Sequence, residues 1–152
     1  MPKDDCMTKT ALFAGSFDPF TKGHYALMKR ALCMFNRIVV GIGVNSDKKC
    51  MFTLEERVAA IEKAFLGDKR VEVRVYDCLT MDFAKQIGAD VLLRGVRSVK
   101  DFEYEREIAD MNLRLGGIDT VLLVSEPEYS SVSSSVVREL MKYGKDVSSL
   151  LP

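Results

Sequence analysis

The ten residues Gly15 to His24, GSFDPFTKGH, place an imidazole, two hydroxyls and two glycines between an apolar run ending at Ala14 and an apolar-periodic segment beginning at Tyr25. A loop that runs into a helix start offers unpaired backbone N–H groups and a partial positive charge, and Gly23 would let an anion approach the backbone closely. That is chemistry for a phosphate. Spacing excludes two familiar phosphate loops: G-x-x-x-x-G-K-[ST] does not occur, and Gly15 with Gly23 does not fit G-x-G-x-x-G. What remains is Thr21-x-Gly23-His24. A single histidine can simply pack or cap a helix. His24 is the only histidine of the chain and stands in the loop an anion would occupy, which favours a chemical role.

Two later stretches suit the same chemistry. Arg94-Gly95-Val96-Arg97 follows an apolar run, and two guanidinium forks with a glycine between them match phosphate oxygens better than lysine does. Read alone, this is equally a solvated loop with incidental arginines. Ser133, Ser134 and Ser135 precede a helix pattern; a cap explains one of them, and three hydroxyls with free N–H groups make a second anion site.

The elements that must position these groups follow from periodicity. Ala11 to Ala14 reads as a buried strand, and Leu27, Met28, Ala31, Leu32, Met34 and Phe35 form the inner face of a helix from Tyr25. Arg37 to Val44 is a nearly continuous apolar run, as in a strand covered on both faces. Thr53 with Glu56 is a capping box opening a helix to about Phe65, ended by Gly67. Val71, Val73 and Val75 alternate with charges, as a strand near a sheet edge would. A short helix spans Met81 to Ile87, a fourth strand Val91 to Leu93, and a longer helix Asp101 to Leu115, which would bury Phe102, Ile108, Met111 and Leu115. Thr120 to Val124 is a fifth strand, and Ser133 to Tyr143 the last clear helix. The alternation predicts an α/β fold, a single Rossmann-like doubly wound domain over 1–152 with a five-stranded parallel sheet. In such sheets ligands bind beyond the carboxyl ends of the strands. Ser16 to His24, Lys48, Asp77 to Thr80, Arg94 to Arg97 and Tyr129 to Ser135 each follow a strand, so all should share one edge.

Composition sets bounds. The 152 residues suffice for one well-filled core, and 47% hydrophobic with 29% charged residues is ordinary for a globular chain. Net charge is zero, so no electrostatic footprint for nucleic acid or an anionic membrane is expected. Cys6, Cys33, Cys50 and Cys78 form no C-x-x-C pair, which fits a reduced cytoplasmic protein without structural metal. No secretory signal or membrane-spanning run is evident.

GSFDPFTKGH resembles the T/H-x-G-H signature of the nucleotidyltransferase superfamily, and RGVRSVKDFEYE at 94–105 and SSSVVRE at 133–139 resemble the phosphopantetheine adenylyltransferase family of bacterial type. The likeness covers almost the whole chain. It implies transfer of the adenylyl group of ATP to 4′-phosphopantetheine, giving dephospho-coenzyme A and pyrophosphate in coenzyme A biosynthesis, by in-line attack without a covalent intermediate. It implies catalytic roles for His24, Lys48 and Arg94, with His24 stabilising the transition state. It assigns ATP to Ser16, Phe17, His24, Gly95, Val96, Arg97, Glu105 and the segment Tyr129, Ser130, Ser131, Val132, Ser133, Ser134 and Ser135. It assigns the acceptor to Ser16, Lys48, Thr80 and Arg94, while Asp18 would fix the first turn. Mg²⁺ is expected to arrive with ATP, without protein side chains as ligands. A homohexamer and feedback inhibition by coenzyme A are also implied.

Some positions depart from the family pattern. Ala14 replaces a common proline, Ser16 replaces threonine but keeps the hydroxyl, Asp47 lies in a loop that often has proline two residues earlier, and Thr80 is more polar than usual. Relatives commonly continue with another helix beyond the region of Val147. Two other readings stay open: a superfamily transferase acting on nicotinate mononucleotide or a phosphorylated alcohol, against which RGVRSVKDFEYE argues, and a regulatory module that binds nucleotide without turnover.

Overall fold

Alternate residues of the first strand serve two cores at once. In the computed structural model, which describes residues 9–152, Ala11 and Phe13 of β1 (Thr10–Gly15) join one apolar cluster and Leu12 and Ala14 another. Cys6 and the start of the chain lie outside the described residues. The first cluster is completed by α1 (Lys22–Ala31), β2 (Arg37–Gly43) and α2 (Leu54–Ala64), the second by α3 (Thr80–Gln86). Helices therefore cover both faces of the sheet, and its central strands are mostly apolar, Arg94 of the fourth strand being the charged exception toward a carboxyl end.

The remaining elements are β3 (Val71–Tyr76), β4 (Val91–Val96), α4 (Val99–Gly116), β5 (Asp119–Val124) and α5 (Ser134–Lys142). The five strands are parallel, in the order β3-β2-β1-β4-β5. This is the expected doubly wound sheet, with β3 at an edge. Strand order reverses between β1 and β4, where such folds bind ligands. β1 pairs with β2 from Thr10↔Arg37 to Gly15↔Ile42, but with β4 only at Ala11↔Val91 and Leu12↔Leu92. The two central strands thus part beyond Leu12, and the gap opens toward their carboxyl ends.

Three expectations need correction. α1 begins at Lys22, because Thr21 caps it, so His24 sits inside the first turn; Met34 falls beyond the helix and is exposed. β4 extends to Val96, so Arg94, Gly95 and Val96 are strand residues, and only Arg97 opens the loop. α4 does not bury its apolar side: Phe102 is 47% exposed, Met111 54% and Leu115 58%, while the one buried residue of the helix is Glu105. Its inward stripe, Asp101, Glu105, Ile108 and Asn112, meets the sheet across two open clefts, so polar groups are tolerated there, while Phe102, Met111 and Leu115 stay exposed.

Candidate active site

The loop after β1 is fixed by groups from across the fold. Arg57 of α2 donates to the Ser16 carbonyl (2.8 Å), Arg138 of α5 to that of Asp18 (2.8 Å), and the Ser134 hydroxyl to that of Pro19 (2.8 Å). The Asp18 carboxylate, buried, accepts the backbone N–H groups of Met51 and Phe52 at 2.9 and 2.8 Å. Asp18 therefore ties the first loop to the one carrying Lys48, a longer reach than fixing its own turn. Phe17 adopts a left-handed backbone (φ 47°) and buries its ring, a conformation a non-glycine residue keeps only when its surroundings impose it.

At the helix start, the Thr21 hydroxyl accepts from His24 N–H, and the Thr21 N–H donates to His24 Nδ1 at 3.0 Å. This is a capping box in which histidine takes the place usually held by Glu or Gln. A backbone N–H can only donate, so Nδ1 is unprotonated and the ring proton of the neutral imidazole sits on Nε2. The ring lies against Phe13, Phe17 and Phe20, with centroids at 6.0, 5.1 and 5.4 Å. This burial, followed by the charges of Arg94 and Arg97, lowers the His24 pKa from 6.5 to about 4. At neutral pH His24 is an uncharged hydrogen-bond donor.

Across the gap, Arg94 bridges the parted strands. Its Nη1 donates to the Ala14 carbonyl at 2.6 Å, and Nε and Nη2 donate to the two carboxylate oxygens of Glu105 at 2.8 and 2.7 Å. Burial opposes its charge, yet the Glu105 carboxylate outweighs this and raises the Arg94 pKa. Arg97 is held more loosely by Asp101, at 3.3 Å. The Lys48 ammonium reaches the Ser16 hydroxyl at 3.3 Å.

Two clefts meet at this point. The first, about 350 Å³, has Ser16, Phe17, His24, Gly95, Arg97 and Glu105 among its walls, and is closed opposite by Tyr129, Val132, Ser133 and Ser134. The second, about 290 Å³, is mainly apolar and runs past Thr80, whose hydroxyl is 2.9 Å from that of Tyr76. Ala14, Gly15, Arg94 and Glu105 belong to both. The structure thus gathers most of the residues named from sequence. Ser130, Ser131 and Ser135 are exposed outside the first cleft's walls, Val96 is buried behind them, and Ser133 spends its hydroxyl capping α5. Among the described residues, no group of three or more His, Cys, Asp or Glu is placed to hold a metal ion.

The chain matches the cytidylyltransferase-like family model over residues 12–140. It is 54% identical to a phosphopantetheine adenylyltransferase of Phocaeicola vulgatus over 144 residues, 95% of each chain, and 50% identical to that of Bacteroides fragilis over 95% of this chain and 96% of the other. The chain belongs to the phosphopantetheine adenylyltransferase family. A relative of the same family from Oenococcus oeni is 44% identical over 93% of this chain and 90% of its own. Solved structures agree on the fold: a bifunctional NMN adenylyltransferase/ADP ribose pyrophosphatase from Francisella tularensis superposes with a TM-score of 0.67 at 16% identity, over 93% of this chain and 44% of that longer one. Sequence reasoning marked Thr21 in the loop motif but not as the cap of α1, Arg138 only as a member of SSSVVRE with no role, and Arg57 not at all. A Thr three residues before His24 was the available sign of the first; the arginines gave none.

Proposed function

We propose that this protein transfers the adenylyl group of ATP to the phosphate of 4′-phosphopantetheine, releasing pyrophosphate and forming dephospho-coenzyme A. The observation that carries this reading is the meeting of two clefts at Arg94, one lined by phosphate-binding groups and one largely apolar, within a chain of this family. The first suits ATP; the second suits the extended, mostly apolar arm of the acceptor.

An oxygen of the acceptor phosphate attacks the α-phosphorus, and the bond from that phosphorus to the oxygen bridging to the β-phosphate breaks. The acceptor is already mostly ionised near neutral pH, so no base is required. Consistent with this, His24 Nδ1 faces Thr21 and no carboxylate, which leaves Nε2–H to donate to the α-phosphate as charge builds. Lys48 and the two unused N–H groups of Arg94 receive the acceptor phosphate, with Ser16 orienting it. Arg97, Gly95 and the N-terminal groups of α5 hold the nucleotide phosphates. Catalysis then consists of alignment and charge stabilisation.

Mg²⁺ would enter with ATP, held by phosphates and water, and would neutralise phosphate charge. The carboxylates near the cleft, Asp101 and Glu105, are engaged by arginines, and the groups left are donors that suit phosphate. The protein acts in the cytoplasm, as a homohexamer, and coenzyme A inhibits it by offering the same pantetheine arm to the second cleft. No helix among the described residues is long and apolar enough to cross a membrane.

Pyrophosphate release from ATP and Mg²⁺ tests the reading, with 4′-phosphopantetheine beside nicotinate mononucleotide and a no-acceptor control. Release with phosphopantetheine alone is expected. Release with another acceptor would keep the superfamily chemistry and remove this substrate, and ATP binding without release would favour a regulatory module.

A further inference from the structure

Arg57 of α2 is only 7% exposed, and among the described residues no carboxylate forms an ion pair with it. Its Nε and Nη1 donate instead to backbone carbonyls, those of Thr53 at 3.4 Å and Ser16 at 2.8 Å. A buried cation without a counter-charge is a poor stabilising device, because only such bonds offset its desolvation. The bond to Ser16 matters for what it does to the next residue. The peptide joining Ser16 to Phe17 is trans, so its C=O and N–H point in opposite directions. With the carbonyl drawn to α2, the Phe17 N–H is turned away from α2, and among the described residues it has no acceptor. Phe17 is buried at the wall of the first cleft, where a backbone donor without a partner is costly unless a ligand accepts from it. Its left-handed backbone, φ 47°, is a further cost, and rotation about that N–Cα bond helps set the plane of this peptide.

We propose that Arg57 is a positioning residue: by holding the Ser16 carbonyl against α2, it aims the Phe17 N–H into the first cleft as a fixed donor to the transferred phosphate of the nucleotide. The inference rests on the reaction proposed above. The Phe17 ring packs edge-on against Phe13 and His24, with centroids at 5.2 and 5.1 Å, and carries no polar atom. Whatever this residue gives a phosphate must come from its backbone. The bond also tunes the donor, since a guanidinium on the carbonyl polarises the amide and strengthens the N–H on its other side. His24 stacks its ring beside that of Phe17, so its Nε2–H and the Phe17 N–H serve the same wall of the cleft. Without Arg57, the peptide is free to turn over and relieve the left-handed backbone, and the donor leaves the cleft.

The test follows the amide resonances of protein isotope-labelled only at phenylalanine nitrogen, titrated with a non-hydrolysable ATP analogue and Mg²⁺. In wild type the Phe17 amide proton should move downfield as the analogue binds. In Arg57→Met that movement should be lost, while the amides of Phe35 and Phe83, away from the loop, keep their positions. Kinetics give a second reading: kcat of Arg57→Met should fall on the order of 10²-fold, the scale of one donor lost from a preorganised oxyanion site. Affinity for phosphopantetheine, measured by calorimetry without ATP, should stay within about twofold. Arg57→Lys keeps the charge and a donor and should recover part of kcat; it also carries the test if Arg57→Met does not fold. A lowered melting temperature with kcat intact would reduce Arg57 to a structural prop and overturn the proposal, as would a wild-type Phe17 amide indifferent to the analogue. Wild-type protein that binds ATP without phosphopantetheine turnover would instead remove the proposed reaction, and the Phe17 amide would still decide whether this N–H meets the nucleotide.

Discussion

His24 closes the first turn of α1 and presents a proton to the cleft, and the same bond to Thr21 N–H does both. Two consequences follow at the level of this residue. His24→Ala removes a preorganised donor, and turnover should fall on the order of 10²-fold with ATP affinity little changed, read by steady-state kinetics and calorimetry. The second concerns acid. Unfolded, the imidazole titrates near 6.5; folded, burial and the neighbouring arginines hold it to about 4. Between those values the unfolded chain binds more protons than the native one, so stability falls as pH drops through this window and is fully retained above it. The loss should be about 2 kcal/mol after allowing for the ring's partial exposure. Denaturant titrations of wild type and His24→Asn at pH 7 and pH 4.5 check this: the variant should lack that share of the decline.

At the scale of elements, the site depends on how closely α1 and β4 approach. A Cβ on Gly95 would lie 2.5 Å from Leu27 Cδ1, so Leu27, on α1 and in the wall of the first cleft, would have to turn. Gly95→Ala should therefore cost only about 1–2 kcal/mol of stability, since a side-chain end gives way. It should raise the KM for ATP several-fold and leave that for phosphopantetheine nearly unchanged, because Leu27 borders the first cleft and not the second. The strands that make this geometry were legible in sequence, since short runs such as Ile38 to Ile42, rich in β-branched residues and closed by Gly43, suit a buried strand better than a helix. Placing His24, Arg94 and Arg97 on one edge followed from strand alternation alone. The loop's supports were not legible: Arg57 and Arg138 find their carbonyl partners 41 and 120 residues away, and nothing in local spacing announces such a bond. The apolar stripe of α4 misled for another reason. Periodicity shows that a helix has an apolar side, but not whether its own chain covers that side.

At the scale of the whole molecule, that stripe is open among the described residues. Tyr104, Met111 and Leu115, at helical spacing along α4, are all exposed, and partly buried Ile108 links them to the wall of the second cleft, to which Leu115 also belongs. An apolar band of this length on a chain of zero net charge favours burial against another copy, in keeping with the homohexamer proposed above. Met111→Glu places a charge in the middle of the band, without touching the cleft, and should shift the protein from six chain masses to a smaller species in light scattering. Since Ile108 and Leu115 border the acceptor cleft, the dissociated variant should show a raised KM for phosphopantetheine and a nearly normal KM for ATP. Wild-type protein at a single chain mass would leave assembly out of the site's construction, whereas dissociation with both KM values intact would separate the band from the cleft it borders.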